Sequence, residues 1–583
     1  MPSTYTRLGP DSDGGYHNTS DSSYPSWASS NGSPRNSKLS SIEAKFSLPA
    51  DPNTWGSAVS RNHREPDDNL HDEDRDFPSS TVFSSRGLSN AGCLILLVAA
   101  LLALFVGYPI ASAFQRPTIP KVGVNATGQV PQFSGNWGLI DKDTPQDAHK
   151  YTSLEDGKQL ELVFSDEFNL DGRTFYPGDD PYWEAVDLHY WGTNNLEWYD
   201  PESVTTVNGN LNITLQQKVN HGMRYMGGMI QTWNKFCFTG GLVVASVVLP
   251  GMSNVAGLWP AIWTMGNLGR AGYGASLEGL WPYSYDACDV GTLKNQTLNG
   301  EPYLATVDGD AKFGGALSYS PGQRLSRCTC NGESHPGPKH KDGSYVGRAA
   351  PEIDMIEAQA SSASLLTVGS NFATLSGQLQ GEVSQSGQFA PFDYKYEWNE
   401  NAQTRIIYNS TGTVMNGYKG GVYQQAASGV TRTNPECYSQ ESGCHSVYAF
   451  EYKPGYDDGY ITWLSDNKKA WTLRGPGLGP NDNVKISARP IPQEPMYLIM
   501  NLGLSENFGD VDFTHLVFPV WMLVDYVRVY QDPDAMNVGC DPKDYPTADY
   551  IAQYPEAYAN PNLTTWKDDY KQPWPKNRLI DQC

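Results

Sequence analysis

Residues 352–357 read EIDMIE, three carboxylates interleaved with aliphatic side chains in a short stretch typical of a β-strand. In a regular strand the side chains alternate, so Glu352 and Asp354 share one face while Glu357 points to the other. A β-bulge at Met355-Ile356 would absorb one residue and turn Glu357 onto the face of the other two acids. We therefore predict a bulged strand with three carboxylates along one cleft and aliphatic side chains in the core behind it.

This geometry favours one kind of chemistry. With the bulge, the two glutamates lie about four strand steps apart, roughly 13 Å between Cα atoms, and converging side chains bring the carboxyl groups to about 5 Å, the separation of a retaining glycosidase. One carboxylate then attacks the anomeric carbon, while the other, kept protonated by neighbouring charge, protonates the leaving oxygen. Asp354 would hydrogen-bond a glutamate and separate the two pKa values. From spacing alone, an exposed acidic strand or a cation site of oxygen ligands remains an alternative.

Composition agrees with an all-β protein that does not bind nucleic acid. The 583 residues include 57 Gly, 40 Pro, 34 Tyr and 16 Trp, and only 18% are charged, which is typical of a turn-rich, aromatic-rich chain. The 41 Lys and Arg face 64 Asp and Glu, giving a formal charge of −23 that would repel a phosphate backbone. A neutral polysaccharide suffers no such repulsion.

An apolar stretch predicts one membrane crossing. No charged residue occurs between residues 87 and 115, and residues 91–113 are nearly all Ala, Leu, Ile, Val and Phe, enough to span the hydrocarbon of a bilayer as a helix. A cleaved signal peptide is the alternative, because Ala111-Ser112-Ala113 resembles a cleavage site, but the stretch begins late and is long. We predict an uncleaved signal anchor.

Cysteines and glycosylation motifs predict the orientation of this anchor. Cys93 lies within the stretch and the other eight cysteines follow it, an even number that suits disulfides in an oxidising compartment. On the same side lie five glycosylation acceptor motifs, at Asn125, Asn212, Asn295, Asn409 and Asn562. We therefore predict a single-pass type II membrane protein of the endoplasmic reticulum, Golgi or plasma membrane, with its C-terminal bulk lumenal or extracellular.

The rest of the chain divides into segments of different amino-acid composition. Residues 1–90 contain 20 serines and few large aliphatics, so we predict a disordered cytosolic tail. Residues 114–154 are predicted to form a stalk, residues 155–532 a β-sandwich, and residues 533–583 an appendage packed on it. Residues 204–215 are predicted to be a hairpin with a type I′ turn at Asn208-Gly209. Further strands are predicted at residues 242–249, 460–464, 497–502 and 522–530.

A long Gly-rich insertion, residues 270–345, precedes the acidic strand. It contains Cys328-Thr329-Cys330, which we interpret as part of a disulfide-bonded loop because no Cys/His pair lies nearby at zinc-finger spacing. Cys437 and Cys444 are close enough in sequence to close a small loop. No cofactor is predicted, and although a structural calcium ion is compatible with this fold class, no ligand motif identifies one.

The acidic strand is similar to the E-x-D-x-x-E signature of glycoside hydrolase family 16. Other segments resemble that family's motifs in the right order: residues 162–168 (LVFSDEF), 197–199 (EWY), 257–265 (GLWPAIWTM) and 524–530 (VDYVRVY). The resemblance implies a jelly-roll (concanavalin-like) sandwich with Glu352 as nucleophile, Glu357 as acid/base and Asp354 as their assistant.

A narrower resemblance is to the fungal β-glucan synthesis-associated proteins, type II membrane members of that family. It is carried by the Ser-rich tail, the anchor and residues 384–386 (SQS), 388–393 (QFAPFD), 539–542 (GCDP) and 560–564 (NPNLT). It implies a role in making cell-wall β-1,6-glucan. One departure stands out: many hydrolytic relatives carry a histidine on a strand facing the nucleophile, whereas no histidine occurs here between Glu357 and His445.

Aromatic side chains are the expected partners of sugar rings, whose C–H faces stack on them. Trp259 and Trp263 are four residues apart on a predicted strand and share a face, which the family resemblance identifies as the cleft. Glu197, Trp198 and Tyr199 are further candidates for substrate binding. A buried position in the sandwich core is the alternative for each aromatic residue.

Three functions are therefore compared. The leading prediction is a membrane-anchored retaining glycosidase or transglycosylase that acts on β-glucan in the fungal wall, with a polysaccharide and a lipid bilayer as partners. The second is a non-catalytic glucan-binding assembly factor. Its cleft would hold a chain without cleaving it, but a binding protein has no need of a nucleophile. The third is a trafficking adaptor that works through its tail.

Overall fold

The computed structural model describes residues 85–102, 105, 138–362, 379–408 and 410–583. Within them lie five α-helices: α1 (Ser85–Leu102), α2 (Gly274–Leu277), α3 (Leu304–Val307), α4 (Ala548–Gln553) and α5 (Pro555–Ala559). Of these, α1 belongs to one compact unit, and all residues from 138 onwards belong to another.

Helix α1 covers the first half of the predicted membrane span. Its side chains from Leu94 to Leu96 are 65–73% exposed. Among the residues that the structure describes, no helix combines the length and apolarity needed to cross a bilayer. Residues 103–113 of the predicted span, apart from Phe105, and residues 1–84 of the predicted tail lie outside the described residues. The anchor and the disordered tail stay predictions.

The second unit is built from β-strands. In chain order they are β1 (Lys150–Thr152), β2 (Gln159–Asp166), β3 (Glu184–Ala185), β4 (Leu188–His189), β5 (Glu197–Tyr199), β6 (Val204–Val207), β7 (Asn210–Leu215), β8 (Tyr225–Gln231), β9 (Gly241–Val248), β10 (Leu258–Gly266), β11 (Glu352–Ser362), β12 (Leu379–Phe389), β13 (Arg405–Ile407), β14 (Thr413–Met415), β15 (Gly420–Gly421), β16 (Gln424–Arg432), β17 (Ser446–Lys453), β18 (Tyr460–Ser465), β19 (Lys468–Arg474), β20 (Met496–Leu504) and β21 (Val520–Gln531).

These strands form two sheets. The ten-stranded sheet has the order β1-β2-β21-β9-β17-β18-β19-β13, with β7 also on β21 and β6 on β7. The eleven-stranded sheet has the order β14-β16-β12-β11-β10-β20-β8-β5-β4, with β15 on β16 and β3 on β8. Neighbouring strands are antiparallel except β5 and β8, which are parallel. The predicted all-β class is confirmed, and β11 lies near the middle of the larger sheet.

The two sheets pack face to face through one apolar core. Ile353 and Ile356 of β11 lie in it with Phe450, Trp463 and Trp471 of the ten-stranded sheet, all fully buried. Because side chains alternate along a strand, the residues between the core-facing ones emerge on the outward face of the eleven-stranded sheet. That outward face carries the polar and aromatic residues of the candidate site.

Several local predictions are confirmed. Strands β6 and β7 form the predicted hairpin, and Asn208 (φ 51°) and Gly209 (φ 74°) have the positive φ values of a type I′ turn. The strands predicted at residues 242–249, 460–464, 497–502 and 522–530 correspond to β9, β18, β20 and β21. From residue 138 onwards, no described α-helix exceeds six residues.

The boundary of the predicted stalk needs a correction. Strand β1 pairs with β2 at the edge of the ten-stranded sheet, and Leu139 packs against the core. Residues 138–154 are therefore part of the sandwich. The sequence predicted a stalk here because short edge strands show little of the alternation of apolar and polar residues by which strands are predicted.

Disulfides tie the C-terminal appendage to the sandwich and to the insertion. All eight cysteines after residue 114 are paired, as Cys237–Cys540, Cys288–Cys328, Cys330–Cys583 and Cys437–Cys444. The predicted disulfide-bonded loop at residues 328–330 and the small loop closed by the last pair are both confirmed. The appendage packs on the outward face, where Tyr558 and Trp566 join Met265 and Tyr497 in one apolar cluster.

Candidate active site

The acidic strand contains the predicted β-bulge. Asp354 pairs with Ser386 of β12 and Glu357 pairs with Ser384, so two residues of β11 face the single residue Gln385. The register with β10 shifts at the same place, where Ile356 pairs with Ile262 but Asp354 already pairs with Trp263. The extra residue therefore lies at Met355-Ile356, as the sequence predicted.

Side chains from the core stabilise this bulge. A bulge removes regular ladder partners, and buried carbonyl groups without donors are costly. Here the Nε2 of Gln385 donates to the carbonyl of Met355 at 3.1 Å and to that of Leu464 at 3.1 Å. The indole of Trp463 donates to the carbonyl of Asp354 at 2.8 Å. The backbone carbonyl groups of Asp354 and Met355 at the bulge therefore have hydrogen-bond donors in the core.

The bulge brings the three acids together on the outward face. Met355 and Ile356 are fully buried in the core, whereas Glu352 and Glu357 keep part of their surface accessible. Each carboxyl group is close enough that its charge acts on the others: Asp354 raises the pKa of both glutamates, and Glu357 raises that of Glu352. An exposed acidic strand, the alternative from spacing alone, does not fit Asp354, which is only 2% exposed.

Asp354 is the best stabilised anion of the three. Its Oδ2 accepts hydrogen bonds from the Ser386 hydroxyl at 2.7 Å and from Nε2 of Gln388 at 3.0 Å. Burial raises its pKa to about 6, while these two donors and Glu352 lower it. These donors favour the charged form of Asp354, and so favour a proton on Glu352 rather than on Asp354.

The pKa values of the two glutamates are raised as well. Burial, followed by the charge of Asp354, raises the pKa of Glu357 to about 8. The same two causes raise the pKa of Glu352 well above its usual range, while a hydrogen bond from Trp281 lowers it. Burial and the charge of Asp354 thus both favour the protonated forms of the two glutamates.

The two tryptophans predicted as sugar platforms both lie beside this cluster. Trp259 donates from its indole to Oε1 of Glu357 at 3.1 Å and stacks on Phe508, with ring centroids 4.3 Å apart. Trp263 lies on the same face of β10 but is only 8% exposed, and its indole donates to Asn501 at 2.8 Å. Trp259 therefore has the more accessible ring.

Glu197 and Tyr199 require a correction as substrate contacts. Glu197 is fully buried and accepts hydrogen bonds from Asn195 at 2.7 Å and from the backbone of Leu504 at 2.9 Å, and burial raises its pKa to about 7. Tyr199 is 2% exposed and accepts a hydrogen bond from Asn501 at 3.2 Å. The sequence does not show which side chains cover a strand, and here both residues lie behind the site rather than in it.

Trp198 also points away from the acids. It alternates with Glu197 and Tyr199 on β5 and therefore projects to the other side of the strand. Its indole donates to Asp187 at 2.7 Å, and its ring stacks on His221 at 4.0 Å. It does not belong to the acidic cluster.

Five residues of the site were not predicted. Ser386 and Gln388 share a face of β12 opposite the acids, and their alternation is a signal that sequence reasoning offered but did not use. The other three are aromatic residues outside the regular strands: Tyr190, Trp281 and Phe508. Burial raises the pKa of Tyr190 well above its usual range, and the charges of Glu352, Asp354 and Glu357 add to it. Loop residues such as these follow no periodic pattern.

No cation centre is evident in the described part of the chain, where no group of three or more His, Cys, Asp or Glu side chains is arranged to hold a metal ion. The glycosylation motifs fall on different surfaces. Asn562 is exposed, while Asn212 and Asn295 are partly exposed. Asn125 and Asn409 lie outside the described residues, and modification at all five sites stays a prediction.

Comparison with known proteins relates nearly the whole chain to one group. The family profile described as "Beta-glucan synthesis-associated protein SKN1/KRE6/Sbg1" matches residues 57–583. The β-glucan synthesis-associated protein KRE6 of Saccharomyces cerevisiae is 42% identical over 544 residues, covering 89% of this chain and 69% of that protein. The β-glucan synthesis-associated protein SKN1 of Candida albicans is 41% identical over 539 residues, covering 90% and 67%.

Solved structures show a more distant likeness. A laminarinase from Rhodothermus marinus matches 64% of this chain and 97% of its own, with 21% identity and a TM-score of 0.34. An endo-β-1,3-glucanase from Pyrococcus furiosus matches 66% and 98%, with 17% identity and a TM-score of 0.34. Because these scores are low, residue roles rest on this chain's own geometry.

Proposed function

The chain belongs to the SKN1/KRE6/Sbg1 family of β-glucan synthesis-associated proteins, and from this premise we propose that it is a retaining glycosidase or transglycosylase acting on β-glucan during assembly of the fungal cell wall. One observation carries the proposal: the bulge at Met355-Ile356 turns Glu357 onto the face of Glu352 and Asp354. Family membership supports β-glucan as the substrate, and the three acids support a glycosidase mechanism.

In the first step Glu352 is the nucleophile. The proton that it shares with Asp354 moves to Asp354, which leaves a Glu352 carboxylate without changing the total charge of the site. That carboxylate attacks the anomeric carbon and forms a glycosyl ester, while the bond to the leaving oxygen breaks. The indole N–H of Trp281, 2.5 Å from Oε2 of Glu352, stabilises the carboxylate.

Glu357 acts as acid and then as base. Its pKa of about 8 keeps it protonated at neutral pH, so it donates a proton to the leaving oxygen. The resulting carboxylate then takes a proton from water or from a sugar hydroxyl, whose oxygen attacks the anomeric carbon and releases Glu352. Water gives hydrolysis, and a sugar hydroxyl gives transglycosylation. Ser386 and Gln388, which lie beside Asp354, are neutral and cannot take up a proton. Glu357 therefore acts as the base for either acceptor.

Product analysis on linear and branched β-glucans tests this proposal. The wild-type protein should shorten or extend the chains, and the Glu352→Gln variant should bind the same glucans but leave their lengths unchanged. Binding by both proteins with turnover by neither would contradict the enzyme and support the non-catalytic binding factor. Full activity in the variant would contradict Glu352 as the nucleophile.

We also propose that the protein is anchored by residues 91–113 as a type II membrane protein, with the sandwich lumenal or extracellular. The uncharged stretch of residues 87–115, the exposed apolar side chains of α1 and the four disulfides support this. After alkaline carbonate extraction the full chain should stay with membranes, and protease added to sealed vesicles should remove only the N-terminal tail. Release into the supernatant, or digestion of the sandwich, would contradict the anchor or its orientation.

A further inference from the structure

The nucleophile is contacted by a residue from the long insertion. Trp281 lies 71 positions before Glu352 in sequence and donates its indole N–H to Oε2 of Glu352 at 2.5 Å. The rest of the cluster lies on or beside the strands of the eleven-stranded sheet, whereas Trp281 belongs to a segment with no strand of its own. The position of Trp281 therefore depends on what holds this segment against the sheet.

The backbone around Trp281 is fixed at two points, one within the insertion and one next to β11. The carbonyl of Gly279 accepts a hydrogen bond from the N–H of Arg324 at 2.8 Å, and the carbonyl of Leu280 accepts one from the N–H of Ala350 at 3.0 Å. Ala350 lies two residues before the first residue of β11. The segment that carries Trp281 is thus attached directly to the start of the acidic strand.

The segment is also held by the C-terminal appendage, residues 533–583. The carboxylate of Glu278 accepts the N–H of Trp566 at 2.7 Å, and the carbonyl of Leu563 accepts the N–H of Ala275 at 2.8 Å. Gly279 lies so close to Trp574 that a Cβ there would be 2.4 Å from its ring. The appendage therefore touches the segment within α2 and directly after it.

A buried arginine joins the two parts. Arg324 of the insertion is 1% exposed, lies 3.8 Å from the ring centre of Trp566 and donates to the carbonyls of Ala275 and Ser276, both at 3.0 Å. A cation over an indole in a dry environment adds to the attraction between the elements that carry them. The disulfide Cys330–Cys583 links the same insertion to the last residue of the chain.

We propose that Trp281 is a positioning residue for the nucleophile Glu352 and that the C-terminal appendage is part of the active site, because it holds Trp281 in place. The inference rests on the proposed function for the role of Glu352. Trp281 fixes the position of the Oε2 atom of Glu352. The residues that hold Trp281 thus act on the nucleophile through Trp281.

The pH dependence of covalent labelling tests the role of Trp281. The probe is a 2-deoxy-2-fluoro-β-glucoside with an activated leaving group, whose labelling rate falls at low pH as the Asp354–Glu352 pair takes up a second proton and no carboxylate remains to attack. Loss of a hydrogen bond to the charged form should raise the pKa for this second proton, so Trp281→Phe should move the acid limb up by about one pH unit. An acid limb at the wild-type position would overturn the proposal.

Trp233→Phe is the matched control. Trp233 lies in the same apolar cluster, but its indole donates to the carbonyl of Asn267 at 3.1 Å rather than to an acid. It should reduce stability by a similar amount and leave the acid limb in place. An equal shift in both variants would show that Trp281 acts only through general packing.

A second readout does not need turnover, so it separates this proposal from the proposed function. The fluorescence of the wild type minus that of Trp281→Phe, titrated with pH, should contain a step as Glu352 ionises beside the indole, and Glu352→Gln should remove the step. Failure of labelling with the step present would contradict the proposed function alone. A flat difference would overturn the contact.

The role of the appendage is tested at Glu278. Glu278→Ala removes the acceptor for the N–H of Trp566, and we expect the acid limb to move in the same direction as in Trp281→Phe by a smaller amount. Lys312→Ala, at an exposed position of the same insertion, is the control. If Glu278→Ala lowers stability without moving the acid limb, the appendage is only a structural support and the second half of the proposal is wrong.

Discussion

Replacing Gln385 by Leu should damage the active site from within the core. Gln385 is fully buried, and its Nε2 donates to the carbonyls of Met355 and Leu464, each at 3.1 Å. Leucine has a similar size but no donor, so two buried carbonyl groups lose their partner. At about 1–3 kcal/mol for each unsatisfied group, the free energy of unfolding should fall by about 2–6 kcal/mol.

The effect on chemistry should exceed the effect on stability. One of the two carbonyls belongs to the bulge, so its relaxation would move Glu357 relative to Glu352. A small misplacement of reacting groups is costly, and we expect labelling of Glu352 per folded molecule to fall about tenfold or more. Urea unfolding followed by tryptophan fluorescence gives the folded fraction, and mass spectrometry gives the labelled fraction.

Gln425→Leu provides the comparison. Gln425 is 1% exposed, and its Nε2 donates to Asp393 at 3.1 Å and to the carbonyl of Tyr396 at 3.0 Å, away from the bulge. Because Oε1 of Gln425 also accepts from the N–H of Asp393 at 2.8 Å and from Arg489 at 3.1 Å, this variant should lose at least as much stability, while its folded molecules label at the wild-type rate. The reasoning is refuted if folded Gln385→Leu labels normally, or if both variants lose reactivity to the same extent.

Three further predictions concern charge and aromatic contacts. Asp354→Asn removes the charge that raises the pKa of Glu357, so the alkaline limb of the pH–rate profile should move to lower pH; a limb that stays in place or rises would contradict the assigned cause. Trp259→Ala removes the ring stacked on Phe508 and should weaken binding of β-glucan oligosaccharides by about tenfold in calorimetry, whereas Trp198→Ala should leave it unchanged. Glu197 has a pKa raised from 4.5 to about 7, so the cost of its buried charge grows as pH rises through this window. The free energy of unfolding of Glu197→Gln minus that of the wild type should therefore rise by about 3 kcal/mol between pH 4 and pH 8, and a constant difference would show that Glu197 is not protonated by burial.

Features set by neighbouring residues could be predicted from the sequence. The hairpin at Asn208-Gly209 follows from the φ values that those two residues tolerate. The bulge follows from three acids and three aliphatics that cannot otherwise be separated between one polar and one apolar face. In both cases the physical cause lies within a few residues of its effect.

Features set by tertiary packing could not be predicted from the sequence. The sequence identified Glu197 and Tyr199 as candidate substrate contacts, but they are buried by contacts that it does not show. These come from Asn195 just before the strand and from residues 501–504 of β20, about 300 positions away. Trp281 contacts Glu352 across 71 residues of irregular chain, with no period to mark it. The sequence therefore predicts the reacting groups better than it predicts the residues that position and cover them.

Mapping the covalent intermediate tests the central claim most directly. After incubation with the activated 2-deoxy-2-fluoro-β-glucoside and digestion, mass spectrometry should find one glycosyl group on the peptide that contains residues 352–357, with fragmentation placing it on Glu352. The Glu352→Gln variant should carry no adduct. An adduct on Glu357, or wild-type protein that turns over β-glucan with inversion at the anomeric carbon and without any adduct, would contradict the account.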